Sequence, residues 1–137
     1  MRLYRALRTQ TQDLLSVVYY DIDILVKPPV GRCAAMCTSS SFCAVGDIRE
    51  SKRKVGRNRS QPYFNAGFMV FRPSEQAYVD LLNTKVQSML FADQDILNAY
   101  YDGRWQQLPK QCNWINAGSG RRRGLISDPS VLAIHKP

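Results

Sequence analysis

A chain of 137 residues, 45% hydrophobic and 22% charged, is long enough for one domain with its own core and too apolar for wholesale disorder. No apolar run is long enough to span a bilayer, and Arg2, Arg5 and Arg8 break up the apolar positions near Met1, which excludes an apolar signal-peptide core there. With 19 Lys and Arg against 11 Asp and Glu, the net charge is +8, and a basic balance favours anionic partners such as nucleic acid, phospholipid or a phosphorylated small molecule.

Leu3, Tyr4, Leu7, Leu14 and Leu15 share one helical face, which predicts an amphipathic helix over 3–15. Ser16 to Tyr20 is rich in β-branched and aromatic residues and reads as a buried strand, ending abruptly at Asp21-Ile22-Asp23. Pro28, Pro29 and Gly31 mark a turn or loop. Phe42 to Gly46 is a second strand, and the basic stretch 49–59, almost free of apolar residues, reads as a solvated loop. Gly67 to Phe71 is a third strand, stopped by Pro73. Ser74 is then the N-cap of a helix whose stripe is Ala77, Tyr78, Leu81, Leu82, Val86 and Met89. A third helix holds Asp95 to Tyr100, with Gly103 as its stop, and Val131 to Ile134 is a last strand before His135. Strands alternating with helices predict an α/β fold on a mixed sheet. The ends of the chain suggest part of a larger domain.

Cys33, Cys37, Cys43 and Cys112 do not have the spacing of a paired Cys-x-x-Cys zinc site, and a chain of this length can build a core without staples. Reduced, partly buried thiols are expected. The basic runs Lys52 to Arg59 and Arg121 to Arg123 read as solvated loops, or as an electrostatic draw on an anionic substrate. Trp105 and Trp114 suit either packing or stacking on sugar rings.

Two acids follow a buried strand, and residues two apart on a strand point to the same side, so Asp21 and Asp23 can face one point. Like charges that close repel unless a cation lies between them, and hard divalent ions favour carboxylate oxygen. Asp-x-Asp is also an ordinary turn tripeptide. His135, the single histidine, ends another short apolar strand and is either packed or a ligand. An Asp, Asp, His set suits Mn²⁺ better than Mg²⁺, which tolerates nitrogen less.

The words around these residues are specific. Val17-Val18-Tyr19-Tyr20-Asp21-Ile22-Asp23-Ile24-Leu25-Val26 resembles the DxD strand of glycosyltransferase family 8, the glycogenin and galactinol synthase-like group. Phe42-Cys43-Ala44-Val45-Gly46-Asp47, Tyr63 to Ser74 around Asn65-Ala66-Gly67, and Phe91-Ala92-Asp93-Gln94-Asp95-Ile96-Leu97-Asn98 resemble further blocks of that family in the same order. The late Ile134-His135 fits its metal-ligand histidine.

The resemblance implies a nucleotide-diphospho-sugar transferase fold of the GT-A type, here incomplete: a mixed sheet flanked by helices. Residues 1–137 would be a partial domain running from the DxD strand to the histidine, with the N-terminal nucleotide-binding strands missing. It implies a UDP-sugar donor, Mn²⁺ or Mg²⁺, and transfer of a hexose with retention to a hydroxyl of a carbohydrate, polyol or protein. Asp21, Asp23 and His135 would be the metal ligands. Asn65, Ala66, Gly67, Asp95 and Lys136 would bind substrate, and Asp93 and Gln94 would act at the reacting centre. Retention by a carboxylate nucleophile and retention by a front-face route both remain open. The motif Lys136-Pro137 follows His135 without the family's intervening loop. The alternative reading is an inactive remnant serving as a binding or structural module. No nucleic-acid-binding signature accompanies the charge. Reduced thiols point to the cytoplasm, with the Golgi lumen as the alternative if a missing N-terminus carries an anchor.

Overall fold

The computed structural model describes residues 16–47, 62–86, 93–115 and 119–135, with backbone alone for 119–122. The predicted helix over 3–15, the basic stretch 49–59, the Met89 end of the second helical stripe and Lys136 lie outside the described residues.

Strand β4 (Phe64–Phe71) organises the molecule, and all eight of its residues are buried. An apolar strand covered on both faces belongs at the centre of a sheet. β1 (Val17–Tyr20) and β3 (Phe42–Gly46) flank it, both antiparallel, and β5 (Gln106–Gln107) adds parallel to β3. The sheet order is β1-β4-β3-β5. A second sheet places β7 (Ala133–His135) between β2 (Ile24–Val26), which is antiparallel to it, and β6 (Trp114–Ile115), which is parallel. Among the described residues, α1 (Gly31–Ala35), α2 (Glu75–Asn83), α3 (Asp93–Tyr100) and α4 (Ser119–Ser127) add the helices of the α/β architecture, with a 3-10 turn at Lys110–Cys112.

The pairing of β4 with β3 slips: Ala44 opposes Met69, but the next residue, Val45, opposes Asn65. The core records the same slip. Phe64 and Ala66 pack with Met69, Phe71, Phe42, Tyr101 and Trp105, whereas Phe68 and Val70 pack on the other face with Cys43, Val45 and Leu108. Strict alternation would put Phe64 and Phe68 on one face, so the phase changes by one residue around Gly67. Tyr101 stacks on Phe42 with ring centroids 4.0 Å apart, and Trp105 meets Phe64 edge-on at 5.2 Å. Trp105 is therefore a core residue. Aromatic pairs of this kind add about 0.5–1.5 kcal/mol beyond the area they bury.

Ser74 caps α2 as its extended backbone allows, its Oγ accepting the Ala77 N–H at 3.2 Å. Gly103 has φ 74°, the left-handed geometry that ends a helix, three residues past α3. Two segments differ from expectation. Gly31–Ala35 forms a short helix where a loop was expected, and Arg121 to Arg123 lie within α4. Arg-rich α4 has little apolar periodicity and buries Leu125, so its helix follows from tertiary support. Lys27 Nζ supplies part of it, donating to the carbonyls of Leu125 at 3.3 Å and Asp128 at 2.6 Å at the helix C-terminus.

The expectation of reduced thiols is overturned. Cys33 is bonded to Cys112 and Cys37 to Cys43, which leaves no free cysteine. The first pair spans 79 residues with Cα atoms 5.9 Å apart, a proximity created by the fold and invisible in the spacing. It ties α1 to the 3-10 turn before β6. The denatured, unreduced protein should take up no alkylating reagent, and reduction should expose all four thiols to it by mass spectrometry. A Cys33→Ser/Cys112→Ser variant should lose about 2–5 kcal/mol in urea denaturation.

Candidate active site

Asp21, Asp23 and His135 converge where the two sheets meet. The chain leaves β1 at Tyr20, turns over Asp21-Ile22-Asp23 and enters β2 at Ile24. The two acids are thus brought together by a turn rather than by strand alternation, with Ile22 fully exposed between them. The β2–β7 register sets Ile24 opposite His135, which carries the histidine to Asp23 from the far end of the sequence. His135 Nε2 lies 3.4 Å from Asp23 Oδ1, and one ligand atom from each of the three residues lies within 4.8 Å of the others.

Asp21 is held twice. Its N–H donates to the Gly67 carbonyl at 2.8 Å, and its Oδ1 accepts the Tyr19 hydroxyl at 2.7 Å. Burial, the hydrogen bond to Asp21, and the negative charges of Asp21 and Asp93 push the Tyr19 pKa up from 10.0 to about 12. A phenol is a neutral donor at neutral pH in any case, and the upward shift keeps it one further into the alkaline range. The donor set, two carboxylates and an imidazole nitrogen, could hold a divalent cation. Nε2 is the imidazole nitrogen turned towards the acids. Nδ1 is buried without a hydrogen-bond partner among the described residues.

Beside this cluster the β4 slip leaves the Ala66 and Gly67 N–H groups outside the strand ladder. Side chains take them. Ala66 N–H donates to Gln94 Oε1 at 2.9 Å, and Gly67 N–H donates to Asn65 Oδ1 at 3.0 Å. Asn65 Nδ2 donates to the same Gln94 oxygen at 3.3 Å, and Asn113 Nδ2 donates to Asn65 Oδ1 at 2.9 Å. One helical turn beyond Gln94, Asn98 bonds both backbone groups of Phe64, at 2.8 and 2.9 Å, and so seats α3 along β4. Asp95 is 1% exposed and its Oδ1 accepts the Tyr63 hydroxyl at 2.8 Å, which places it inside the helix–strand contact rather than on the open site. Asp93 is exposed in the first turn of α3, where its Oδ1 accepts the Gln94 N–H at 2.9 Å.

Gly67 joins the two groups. A Cβ there would lie 2.4 Å from His135 Cε1, 2.8 Å from His135 Nδ1 and 2.9 Å from Asn65 Oδ1. The absence of a side chain is what lets the imidazole reach the acids. Three residues of this site escape sequence reasoning. Tyr19 carries a readable signal, standing two positions before Asp21, and Asn98 stands one turn after Gln94. Asn113 has none, because only its burial marks it.

Superposition on known structures defines the class of this fold. A crystal structure of the galactosyltransferase LgtC, solved with donor and acceptor sugar analogues, matches with a TM-score of 0.67 at 20% identity, over 97% of this chain and 57% of that one. The bifunctional glycosyltransferase WbbM matches at 0.65 and 22% identity, over 88% of this chain and 28% of that one. The fold is that of GT-A glycosyltransferases. The sequence profile described as Glycosyl transferase family 8 matches residues 2–135, and the chain belongs to that family.

Curated relatives include galactinol synthase 1 of Solanum lycopersicum, 39% identical over 79 residues, covering 56% of this chain and 25% of that protein. Galactinol synthase 5 of Arabidopsis thaliana is 28% identical over 136 residues, covering 86% of this chain and 40% of that protein. The chain thus spans well under half the length of these relatives.

Two measurements check the geometry. Gly67→Ala should displace the imidazole, shift the His135 ring resonances and cost about 1–3 kcal/mol in denaturation. The ultraviolet titration difference between the parent and Tyr19→Phe should show one phenol ionising near pH 12. Because the folded value lies above the unfolded one, the stability from this contact is complete below pH 10.0 and is lost as pH rises through about 12.

Proposed function

We propose that this chain carries the cation- and sugar-handling part of a retaining glycosyltransferase. It moves a hexose from a UDP-sugar to a hydroxyl of a carbohydrate, polyol or protein, with Mn²⁺, or less well Mg²⁺, as cofactor. The observation that carries the reading is the meeting of Asp21, Asp23 and His135 within 4.8 Å, directly beside the amide network of Asn65 and Gln94. A divalent cation held by these three residues supplies positive charge to the oxygens of a diphosphate.

The chain's own groups have separable roles in this reading. Tyr19 and the Gly67 carbonyl fix Asp21. Gly67 leaves room for His135. Asn65 is occupied at both ends of its amide, so it shapes the sugar pocket through its neighbours. Gln94 uses its oxygen on Ala66 and Asn65, and its Nε2 makes no hydrogen bond among the described residues, so the amide N–H groups are what it offers a ligand oxygen. Of the two carboxylates opening α3, Asp93 is the exposed one and Asp95 is covered. Asp93 is therefore the carboxylate that can meet a sugar hydroxyl or the reacting carbon. Lys136 keeps its expected part, contact with the diphosphate, as a proposal from the family resemblance alone.

No helix among the described residues is long and apolar enough to cross a membrane. The cytoplasmic placement expected from reduced thiols loses its ground, because all four cysteines are paired. Paired cysteines are commonest in oxidising compartments, so the Golgi lumen stands beside the cytoplasm as the alternative placement.

The test is release of UDP from UDP-galactose and UDP-glucose by the purified chain with Mn²⁺, and calorimetric binding of Mn²⁺ and UDP. Asp21→Ala/Asp23→Ala should abolish metal-dependent turnover and cation binding together. Turnover undiminished in that double variant would refute the assignment. Absence of any binding by the parent would leave the inactive-module reading in its place.

A further inference from the structure

A carboxamide has a donor end and an acceptor end, and a chain of carboxamides has a direction. In this site two backbone N–H groups set that direction, since a backbone N–H can only donate. The Gln94 atom facing the Ala66 N–H is therefore the oxygen, and so is the Asn65 atom facing the Gly67 N–H. Asn65 Nδ2 then points to Gln94 Oε1. Asn113 closes the series from the opposite side, its Nδ2 donating to Asn65 Oδ1 at 2.9 Å.

Asn113 is 1% exposed, and its own Oδ1 is buried with no partner among the described residues. An orphaned buried acceptor is destabilising, a cost that an aliphatic side chain of similar size avoids. Its backbone is anchored: the N–H donates to the Lys110 carbonyl at 3.1 Å, and the preceding Cys112 is bonded to Cys33. A destabilising amide on a fixed backbone, aimed at the central amide of the site, serves orientation better than it serves packing.

We propose that Asn113 is a positioning residue, which braces the Asn65 side chain in the direction the Gly67 N–H sets and thereby steadies Gln94 with its Nε2 donors, not its oxygen, turned to the ligand. The ligand atom it serves is an electron-rich oxygen of the donor, on the sugar or on the diphosphate. Gln94 Oε1, already accepting from Ala66 N–H and Asn65 Nδ2, is withheld from attack on the sugar carbon. This rests on the glycosyltransferase reading for the ligand. The positioning itself rests on the hydrogen bonds alone.

Asn113→Leu and Asn113→Ala test it, Leu because it removes the orphaned acceptor at similar volume and should keep the fold. In Asn113→Leu, urea stability should match or exceed the parent's. Hydrogen exchange at Gly67 N–H should nevertheless quicken relative to strand neighbours, and Asn65 side-chain amide resonances should move. Turnover of UDP-galactose or UDP-glucose should fall about 10- to 100-fold, the scale of a misplaced positioning group. Combined with Gln94→Ala, the loss should be no greater than for Gln94→Ala alone, since both act through one group. Unchanged Gly67 exchange in both Asn113 variants, or losses that add in the double variant, would overturn the proposal. If the parent turns over neither sugar nucleotide, the transferase reading fails, and the exchange and resonance measurements still decide the positioning role.

Discussion

A one-residue change of phase in a central strand underlies the site. At Ala66 and Gly67, β4 withdraws two N–H groups from its ladder in the middle of a buried strand. A buried backbone donor left unpaired costs about 1–3 kcal/mol, so the fold must bring acceptors to that point. Asn65 supplies one from the strand itself, and Gln94 supplies the other from α3. The requirement to satisfy two N–H groups thus fixes where α3 docks and how its first turn faces the site. Asn98 and Asp95 extend the same seam along Phe64 and Tyr63.

The slip also lets the second sheet approach. Gly67 sits at the change of phase, and its missing side chain is the space in which the His135 ring lies. Its carbonyl holds the Asp21 N–H at the point where the chain crosses from β1 to β2. One glycine therefore registers the turn carrying the acids against the strand end carrying the histidine. The Cys33–Cys112 bond stabilises the same junction from behind, by fixing the segment that leads into Asn113 and β6.

Electrostatics explain why this junction is suited to a cation. Two carboxylates are held near one imidazole, and Asp93 adds a further negative charge felt at Tyr19. The Tyr19 phenol, neutral at physiological pH, donates to Asp21, which orients that carboxylate without adding to the repulsion. Against a chain of net charge +8, this is a local concentration of negative potential.

Much of this was written locally. The strand at Phe42–Gly46, the Ser74 cap, the Gly103 stop and the motif residues Asp21, Asp23, Asn65, Gly67, Gln94 and His135 depend on short-range chemistry, and motif order carried the family. Pairing was not legible. The disulfide across 79 residues, the β2–β7 register that brings His135 to Asp23, and the burial of Asp95 and Asn113 all join distant segments. Propensity and periodicity describe a residue's relation to its near neighbours in sequence. Which donor meets which acceptor is decided when distant backbone groups must all be satisfied in one packed volume, and only the tertiary structure solves that condition.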